Sequence, residues 1–576
     1  SSIAWNGEID IKRCYSSGSV SGEDIQSDYV GGFIGLVYTS STSNIIMENC
    51  FSNCSVSSIT NDGVIGGFVG ITSNNNEIVF RKCYSVGSVD GSIDLGGFCG
   101  INTNASFENC YWDIESSGLN ISDGGTGKTT QEMQSQETYE NWDFQNIWYI
   151  TESNYPDLYS TFNVNIEGAG TQSDPYQITN VFELQTIIYN LDAYYIQMNN
   201  IDASDTENWH NSEGFTPIGN VDKHPFIGWY DGQNYEITNL YIDNNWHDNE
   251  FNEYKYIGLF GYISSGAELK NINISDSYVY GLYSSSGMLC GLVSNHLSSG
   301  KTTTIINCST SGNSYGYENT GILCGTIAPN SGTVSIQNCQ SEGRASSTQG
   351  YNPSNFGGIS GKIFGNENSF IKIEGCNSDS RSGSDVYTHH LTNVGGFCGI
   401  ASGNVLITNC YSYGYGVGCE ENAGGFCGSN SSTITDCFST KDVGGQDSFG
   451  GFCGVNSGII EDCYSTGDFA GIYGSNSSEE GGGFCGNNSG YISGCYAEGD
   501  FKMNNIRLYS CIGGFCGINK GYISYSYDNG YLNYGSLGLI EGGIYIDKMG
   551  GFCGFNDPSE SDAIIEKCYS LNILNF

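Results

Sequence analysis

The sequence predicts an all-β chain folded as a parallel β-solenoid, and three observations carry that prediction. A glycine-rich phrase returns at spacings of about 26 to 38 residues, the range in which solenoids and propellers occur. Each return holds two or three short alternating apolar and polar stretches, such as Ile459-Ile460-Glu461-Asp462-Cys463-Tyr464. The polarity is carried by turn and strand formers, with 83 Gly and 41 Tyr against only 14% charged residues.

The full phrase is Gly-Gly-Phe-Cys-Gly, then x-Asn-x-Gly-x-Ile, then Cys-Tyr-Ser-x-Gly. It is clearest from Gly450 to Gly467 and returns at Gly395, Gly424, Gly482, Gly513 and Gly550. Looser copies begin at Gly31, Gly66, Gly96, Gly287, Gly321 and Gly357, and Ile257 to Gly261 is another. Gly and Asn between the stretches tolerate the positive φ of tight corners. Phe452 and Cys453 supply one large and one small apolar group for a narrow core, and the paired glycines before them allow close backbone approach. One unit cannot bury its own apolar face, so units must stack, at about 4.8 Å per coil. A propeller shares this period, but the units are too short for four-stranded blades and lack WD or kelch signatures. The crossover rule makes the β-helix right-handed.

The pattern breaks from about 111 to 250. Thr129-x-x-Glu132 and Asn180-x-x-Glu183 read as capping boxes opening two helices, with turns at Asn154-Tyr155-Pro156 and Gly168-Ala169-Gly170-Thr171. Helices over a solenoid end would cover its open strand edge. The expected organisation is therefore two stacks: the end of a first solenoid over 1–110, a helix-containing junction or cap over 111–200, and a second solenoid over 201–576. With ten anchor phrases the second rod would be roughly 50 Å long.

These residues resemble the GLUG-motif repeat proteins, as in Gly482 to Gly499. The junction words match too: Tyr111-Trp112-Asp113, Ser122-Asp123-Gly124-Gly125, Trp142-Asp143-Phe144, Tyr155-Pro156, Gly170-Thr171 and Asp174-Pro175-Tyr176-Gln177-Ile178. The resemblance covers nearly the whole chain. It implies a large secreted or surface protein, often adhesin-like, and transfers no catalytic residue. The cysteines depart from the family pattern.

Charge and cysteine narrow the setting. Asp and Glu total 62 against 19 Lys and Arg, a formal charge of −43, which excludes the basic footprint of nucleic-acid binding and disfavours anionic membranes. The 24 cysteines fit an oxidising exterior. Asn53, Asn104, Asn120, Asn273, Asn307, Asn430, Asn476 and Asn487 begin N-x-Ser triplets and are the expected N-glycosylation sites of a eukaryotic glycoprotein. No apolar run approaches the roughly 18 residues of a membrane span. The chain lacks a signal peptide and opens within a repeat, at Trp5-Asn6-Gly7-Glu8-Ile9; it closes within another, at Cys568-Tyr569-Ser570. This reads as a mature or partial chain, and open edges favour head-to-tail joining into a homopolymer.

The cysteines fall in two positions of the phrase. Within-repeat disulfides would join Cys99–Cys110, Cys290–Cys308, Cys324–Cys339, Cys398–Cys410, Cys427–Cys437, Cys453–Cys463, Cys485–Cys495 and Cys553–Cys568, with Cys511 serving Cys516. A rival scheme joins each second cysteine to the next repeat's first, as in Cys463–Cys485 and Cys495–Cys516. Buried thiols are the third option. Cys50, Cys83 and Cys376 stand without a first-position partner, where Ile34, Val69 and Ser360 occur, and Ser526 takes the second position after Cys516. The within-repeat scheme is preferred because a ten-residue spacing recurs in three adjacent copies; each bond would stabilise by about 2–3 kcal/mol.

Motifs for chemistry are weak. Ser122 to Thr129 nearly spells a phosphate loop, but Ser122 replaces its first glycine, and turn plus helix cap is the better reading. His389-His390 lack a third metal ligand. Glu420-Glu421 and Glu479-Glu480 read as solvated corners. Polysaccharide lyases and hydrolases on β-helices need carboxylates at one repeat position of adjacent coils. Here Asp436 and Asp462 align and Glu108 does not. Tyr411, Tyr464 and Tyr496 recur beside the second cysteine, either stacking along the rod or offering an aromatic strip to glycans or partner chains. The expectation is thus an extracellular, non-enzymatic structural protein without cofactor, metal or membrane insertion: a rigid subunit of a cell-surface filament or fibril. An adhesin stalk binding glycans or neighbouring surfaces is the alternative, and a β-helix polysaccharide lyase or hydrolase the third.

Overall fold

The computed structural model describes residues 8–22, 29–38, 44–58, 63–73, 78–144, 147–150, 154–158, 166–219, 224–244, 256–281, 285–295, 300–347, 353–383, 391–414, 416–471, 479–502, 510–533, 546–559, 563–571 and 573–575. It is a parallel β-solenoid of about 14 turns. The chain divides into two compact units, residues 1–164 and 165–576, so the expected junction is shared between them.

In the larger unit the coil repeats as five short strands, seen in Ser448–Gly450, Cys453–Asn456, Ile459–Glu461, Tyr464–Ser465 and Phe469–Gly471. Each pairs in parallel with the same position of the next coil: Phe449 with Gly481, Cys453 with Cys485, Ile460 with Ile492, Tyr464 with Tyr496, Phe469 with Phe501. Propagated along the unit, this register gives parallel sheets of 21, 19 and 10 strands.

Close approach explains the paired glycines. A Cβ on Gly450 would collide with the Cys453 carbonyl, and one on Gly451 with the Gly483 carbonyl of the next coil. Phe452 then turns inward and is fully buried. The sharp corner before the second cysteine needs left-handed backbone, with φ between 51° and 53° at Asn109, Asn338, Asn409, Asp436 and Asp462. Asn and Asp suit that conformation because their short side chains bond locally.

In the larger unit the core is two bands of stacked apolar groups. The main band carries Phe397, Phe426, Phe452, Phe484 and Phe515 beside the cysteines and Ile407, Ile434, Ile460, Ile492 and Ile523. A second contains Val417, Val443, Phe449, Phe469, Phe501 and Ile512. Consecutive phenylalanine rings lie 4.6–4.9 Å apart and nearly parallel. That spacing is the rise of the ladder itself, so stacking costs no departure from register.

Short helices begin where the capping residues stand. In the smaller unit α1 (Ile114–Ser117) is capped by Asp113 and α2 (Thr130–Met133) by a complete Thr129–Glu132 capping box. The near-phosphate-loop stretch is thus turn plus cap; Ser122 Oγ accepts from the backbone of Phe98 and Cys99. In the larger unit α3 (Val181–Gln185) has Asn180 accepting from the Glu183 amide, while Glu183 reaches back to Thr179 rather than to Asn180.

The junction words of the smaller unit form an aromatic lid. Tyr139, Trp142, Phe144 and Trp148 pack on the column Phe51, Tyr84 and Tyr111. Trp142 Nε1 donates to the Asn109 carbonyl and Trp148 Nε1 to Asn49 Oδ1, each at 3.0 Å. Asp113 is buried and accepts from the Tyr155 hydroxyl at 2.6 Å.

Candidate functional site

Every side-chain column of the stack is a possible site, since one residue type recurs there at the ladder spacing. The first cysteine position forms a column: Cys398, Cys427, Cys453, Cys485, Cys516 and Cys553 pair in register, one per coil. Cys290 pairs with Cys324, and Ser360 separates them from Cys398. The second position forms another. The amide of Cys339 donates to Cys376 Sγ, Cys376 to Cys410, Cys410 to Cys437 and Cys437 to Cys463, each at 3.4 Å. Ser526 takes the place after Cys495 and accepts from its amide at 3.3 Å.

All 24 cysteines are thiols here, most of them buried. The column thiols donate to backbone carbonyls: Cys427 to Ser429 and Cys453 to Val455, each at 3.2 Å, and Cys463 to Glu461 at 3.1 Å. Cys511 lies in a different strand from Cys516 and pairs with Glu480 and Lys548. Burial, helped by the Asp123 carboxylate, pushes the Cys99 thiol up to about 12.

A buried amide column accompanies them. Asn430 donates to Asn456, Asn456 to Asn488, Asn488 to Asn519 and Asn519 to Asn556, each at 2.8 Å. The Asn of the repeat phrase therefore stacks inward instead of making a left-handed corner. This also decides one sequon: Asn430 is 1% exposed with its amide occupied. Asn53, Asn104, Asn120 and Asn307 are exposed, Asn273 and Asn487 half-buried, and Asn476 lies outside the described residues.

On the outer face Tyr411, Phe438, Tyr464, Tyr496, Tyr527 and Tyr569 stack with centroids 4.7–5.2 Å apart. Burial, with charge from Tyr464, Tyr527 and Glu498, pushes Tyr496 up to about 12. Unlike Tyr84 and Tyr111 of the smaller unit, these rings stay half-exposed or, at Tyr569, exposed.

The aligned acids have structural work. Asp436 and Asp462 are corner residues, and Glu108 pairs with Arg81. A row that sequence reasoning missed is Asp442, Asp468 and Asp500, each five residues past a second-position cysteine, which is the signal that would have found it. Each Oδ1 accepts from the next coil's backbone, at Asp468, Asp500 and Tyr531, at 2.9 Å. Asp468 also pairs with Lys502, and Asp442, Asp468 and Lys502 edge an open groove of about 380 Å³.

Several buried charged groups were also missed, Glu479 and Lys441 among them. Glu479, expected as a solvated corner, is 2% exposed and meets Ser510 Oγ at 3.3 Å. Lys441 is fully buried, its ammonium against the Ser380 carbonyl and, at 3.1 Å, Ser380 Oγ. Burial pushes it down to about 7, against the pull of Asp379. Lys441 has no counterpart in other repeats, so no periodicity flags it. Among the described residues no cluster of three metal-ligating side chains occurs; His389 and His390 lie outside them.

No family model matches the chain. It is 33% identical over 138 residues to halomucin of Haloquadratum walsbyi, across 22% of this chain and 2% of that protein. It is 29% identical over 125 residues to a "putative Gly-rich membrane protein" of Evansella cellulosilytica, across 20% of this chain and 14% of that protein. The chain thus spans a small fraction of both relatives. Among solved structures, a "putative immunoglobulin A1 protease" from Bacteroides ovatus aligns over 63% of this chain and 86% of its own at 17% identity and a TM-score of 0.34, too distant to carry an argument. Among the described residues no helix is long and apolar enough to cross a membrane.

Proposed function

We propose that this protein is an extracellular structural element, a rigid β-solenoid rod of a cell-surface filament or fibre. The observation that carries the reading is the parallel pairing that runs from coil to coil through the larger unit, with register shifts only at Ile274/Ser277, Ser402/Leu406 and Ser510/Cys511 among the described pairs, so that the repeating positions are spent on holding one coil to the next. Phenylalanine rings, buried amides and serine hydroxyls all face copies of themselves or adjacent backbone. The relatives' names, halomucin and a Gly-rich membrane protein, fit a surface setting. A non-enzymatic role is favoured by the aligned acids, which make corners, backbone bonds or an ion pair. Sugars on the exposed sequons Asn53, Asn104, Asn120 and Asn307 belong to the same reading. The self-partner is a second copy, added head to tail. Negative-stain imaging of the native protein tests this: fibres with a regular axial repeat are expected, and isolated rods at all concentrations overturn the filament.

A second reading, an adhesin stalk, is favoured by the uncovered tyrosine column. Flat rings at one ladder spacing suit stacking against sugar rings. Glycan-array binding that disappears on replacing Tyr464, Tyr496 and Tyr527 with Ala supports it; binding unchanged by the substitutions removes it.

A further inference from the structure

We propose that the cysteines oxidise along their columns, so that each disulfide joins one position in two adjacent coils instead of two positions in one coil. The proposal rests on the extracellular reading, since a reducing compartment would keep the thiols. In-register parallel neighbours have Cα atoms about 4.8 Å apart, inside the roughly 4.4–6.8 Å that a disulfide spans. Their Cβ bonds point the same way, because side-chain direction is set by register; this leaves the Cβ atoms about 4.8 Å apart, so closing the bond draws the two rungs a few tenths of an ångström together, to the roughly 3.5–4.5 Å a disulfide needs. Neighbouring cysteines of the first column stand in register, and in the second column each amide already reaches the next coil's sulfur at 3.4 Å.

The runs also pair off. Cys290–Cys324 stands alone between Phe260 and Ser360. The run from Cys398 to Cys553 divides into Cys398–Cys427, Cys453–Cys485 and Cys516–Cys553 with none left over. In the smaller unit Cys14, Cys50, Cys83 and Cys110 each precede the in-register column Tyr15, Phe51, Tyr84 and Tyr111, and divide into Cys14–Cys50 and Cys83–Cys110. The second-position run from Cys308 to Cys495 is odd and keeps one thiol, and Cys54, Cys99, Cys419, Cys511 and Cys568, which have no cysteine in register, stay thiols as well. The same scheme explains Cys50, Cys83 and Cys376, which have no partner within their own repeats but have column neighbours above and below.

Each bond forms when a thiolate attacks an acceptor disulfide, either small-molecule or borne by a thiol oxidoreductase. The column neighbour then displaces the acceptor's sulfur. Two thiols thereby lose two protons and two electrons, and the acceptor leaves as two thiols. Because most of these sulfurs are fully buried once stacked, oxidation accompanies the docking of successive coils.

The test uses the full chain isolated from its native source. It is unfolded in guanidinium with an alkylating reagent and no reductant, then cut before aspartates, which separates Cys453 from Cys463 at Asp462. Peptides linking Cys453 to Cys485 or to Cys427 are expected. In the Cys453→Ser variant, which repeats the serine that Ser360 already places in this column, a newly alkylated thiol at Cys485 or Cys427 supports the proposal. A Cys453–Cys463 link, or a new thiol at Cys463, overturns column pairing and leaves the extracellular reading standing. Alkylation of nearly all cysteines in the wild type overturns both.

Discussion

The buried amide column shows what a single residue contributes to a stack. Asn488 accepts from Asn456 and donates to Asn519, so replacing it with Ala orphans a donor above and an acceptor below. Each unsatisfied buried group costs about 1–3 kcal/mol, so Asn488→Ala should weaken the stack locally by about 2–4 kcal/mol. Amide exchange confined to the coils around 456–519 would measure it. Lys441 gives a pH signature of the opposite kind from a salt bridge. Its folded value of about 7 lies below the ordinary 10.5, so the unfolded chain holds its proton through that interval and the folded chain does not. Stability therefore rises with pH above 7, by at most about 1.4 kcal/mol per unit, and the gain is lost as pH falls toward 7. The difference in urea midpoint between the wild type and Lys441→Met should change with this slope between about pH 7 and 8.5, since thiol titration is common to both proteins and cancels.

At the scale of the coil, Phe452 is held between Phe426 and Phe484 at 4.9 Å on either side. Phe452→Ala should cost about 3–5 kcal/mol, because rungs fixed by hydrogen bonds above and below cannot collapse into the cavity. Limited proteolysis should then cut near this coil first. Much of the coil was legible beforehand. Gly450, Gly451 and Phe452 announce a close approach and an inward ring by their residue types alone, and Thr129 and Glu132 announce a cap. What escaped was the register of neighbours. The short spacing of Cys453 and Cys463 suggested a bond within the repeat, but spacing alone does not show that Cys453 stands in register with Cys427 and Cys485, one coil away on either side. The inward amides of Asn456 and Asn488 were hidden for a similar reason, since Asn equally suits a corner. Lys441 and Glu479 were illegible because each occurs once, and periodic reasoning sees only what repeats.

Across the whole molecule, stability is a sum over coils and their interfaces, so unfolding should spread from weak coils instead of occurring in one step. Multiple unfolding phases by circular dichroism and fluorescence that fail to coincide are expected, with Asn488→Ala and Phe452→Ala shifting one phase each. The tyrosine column and the row of Asp442, Asp468 and Asp500 lie on the same lattice of coils as the core, so these features recur at core spacing. The in-register ladder has one more consequence. Every rung offers the next the same template, so gaining or losing one coil changes the protein's reach by about 4.8 Å and leaves the remaining joints as they were. Length in such a chain is a quantity that heredity can adjust in units, like links in a measuring chain, without redesigning any link.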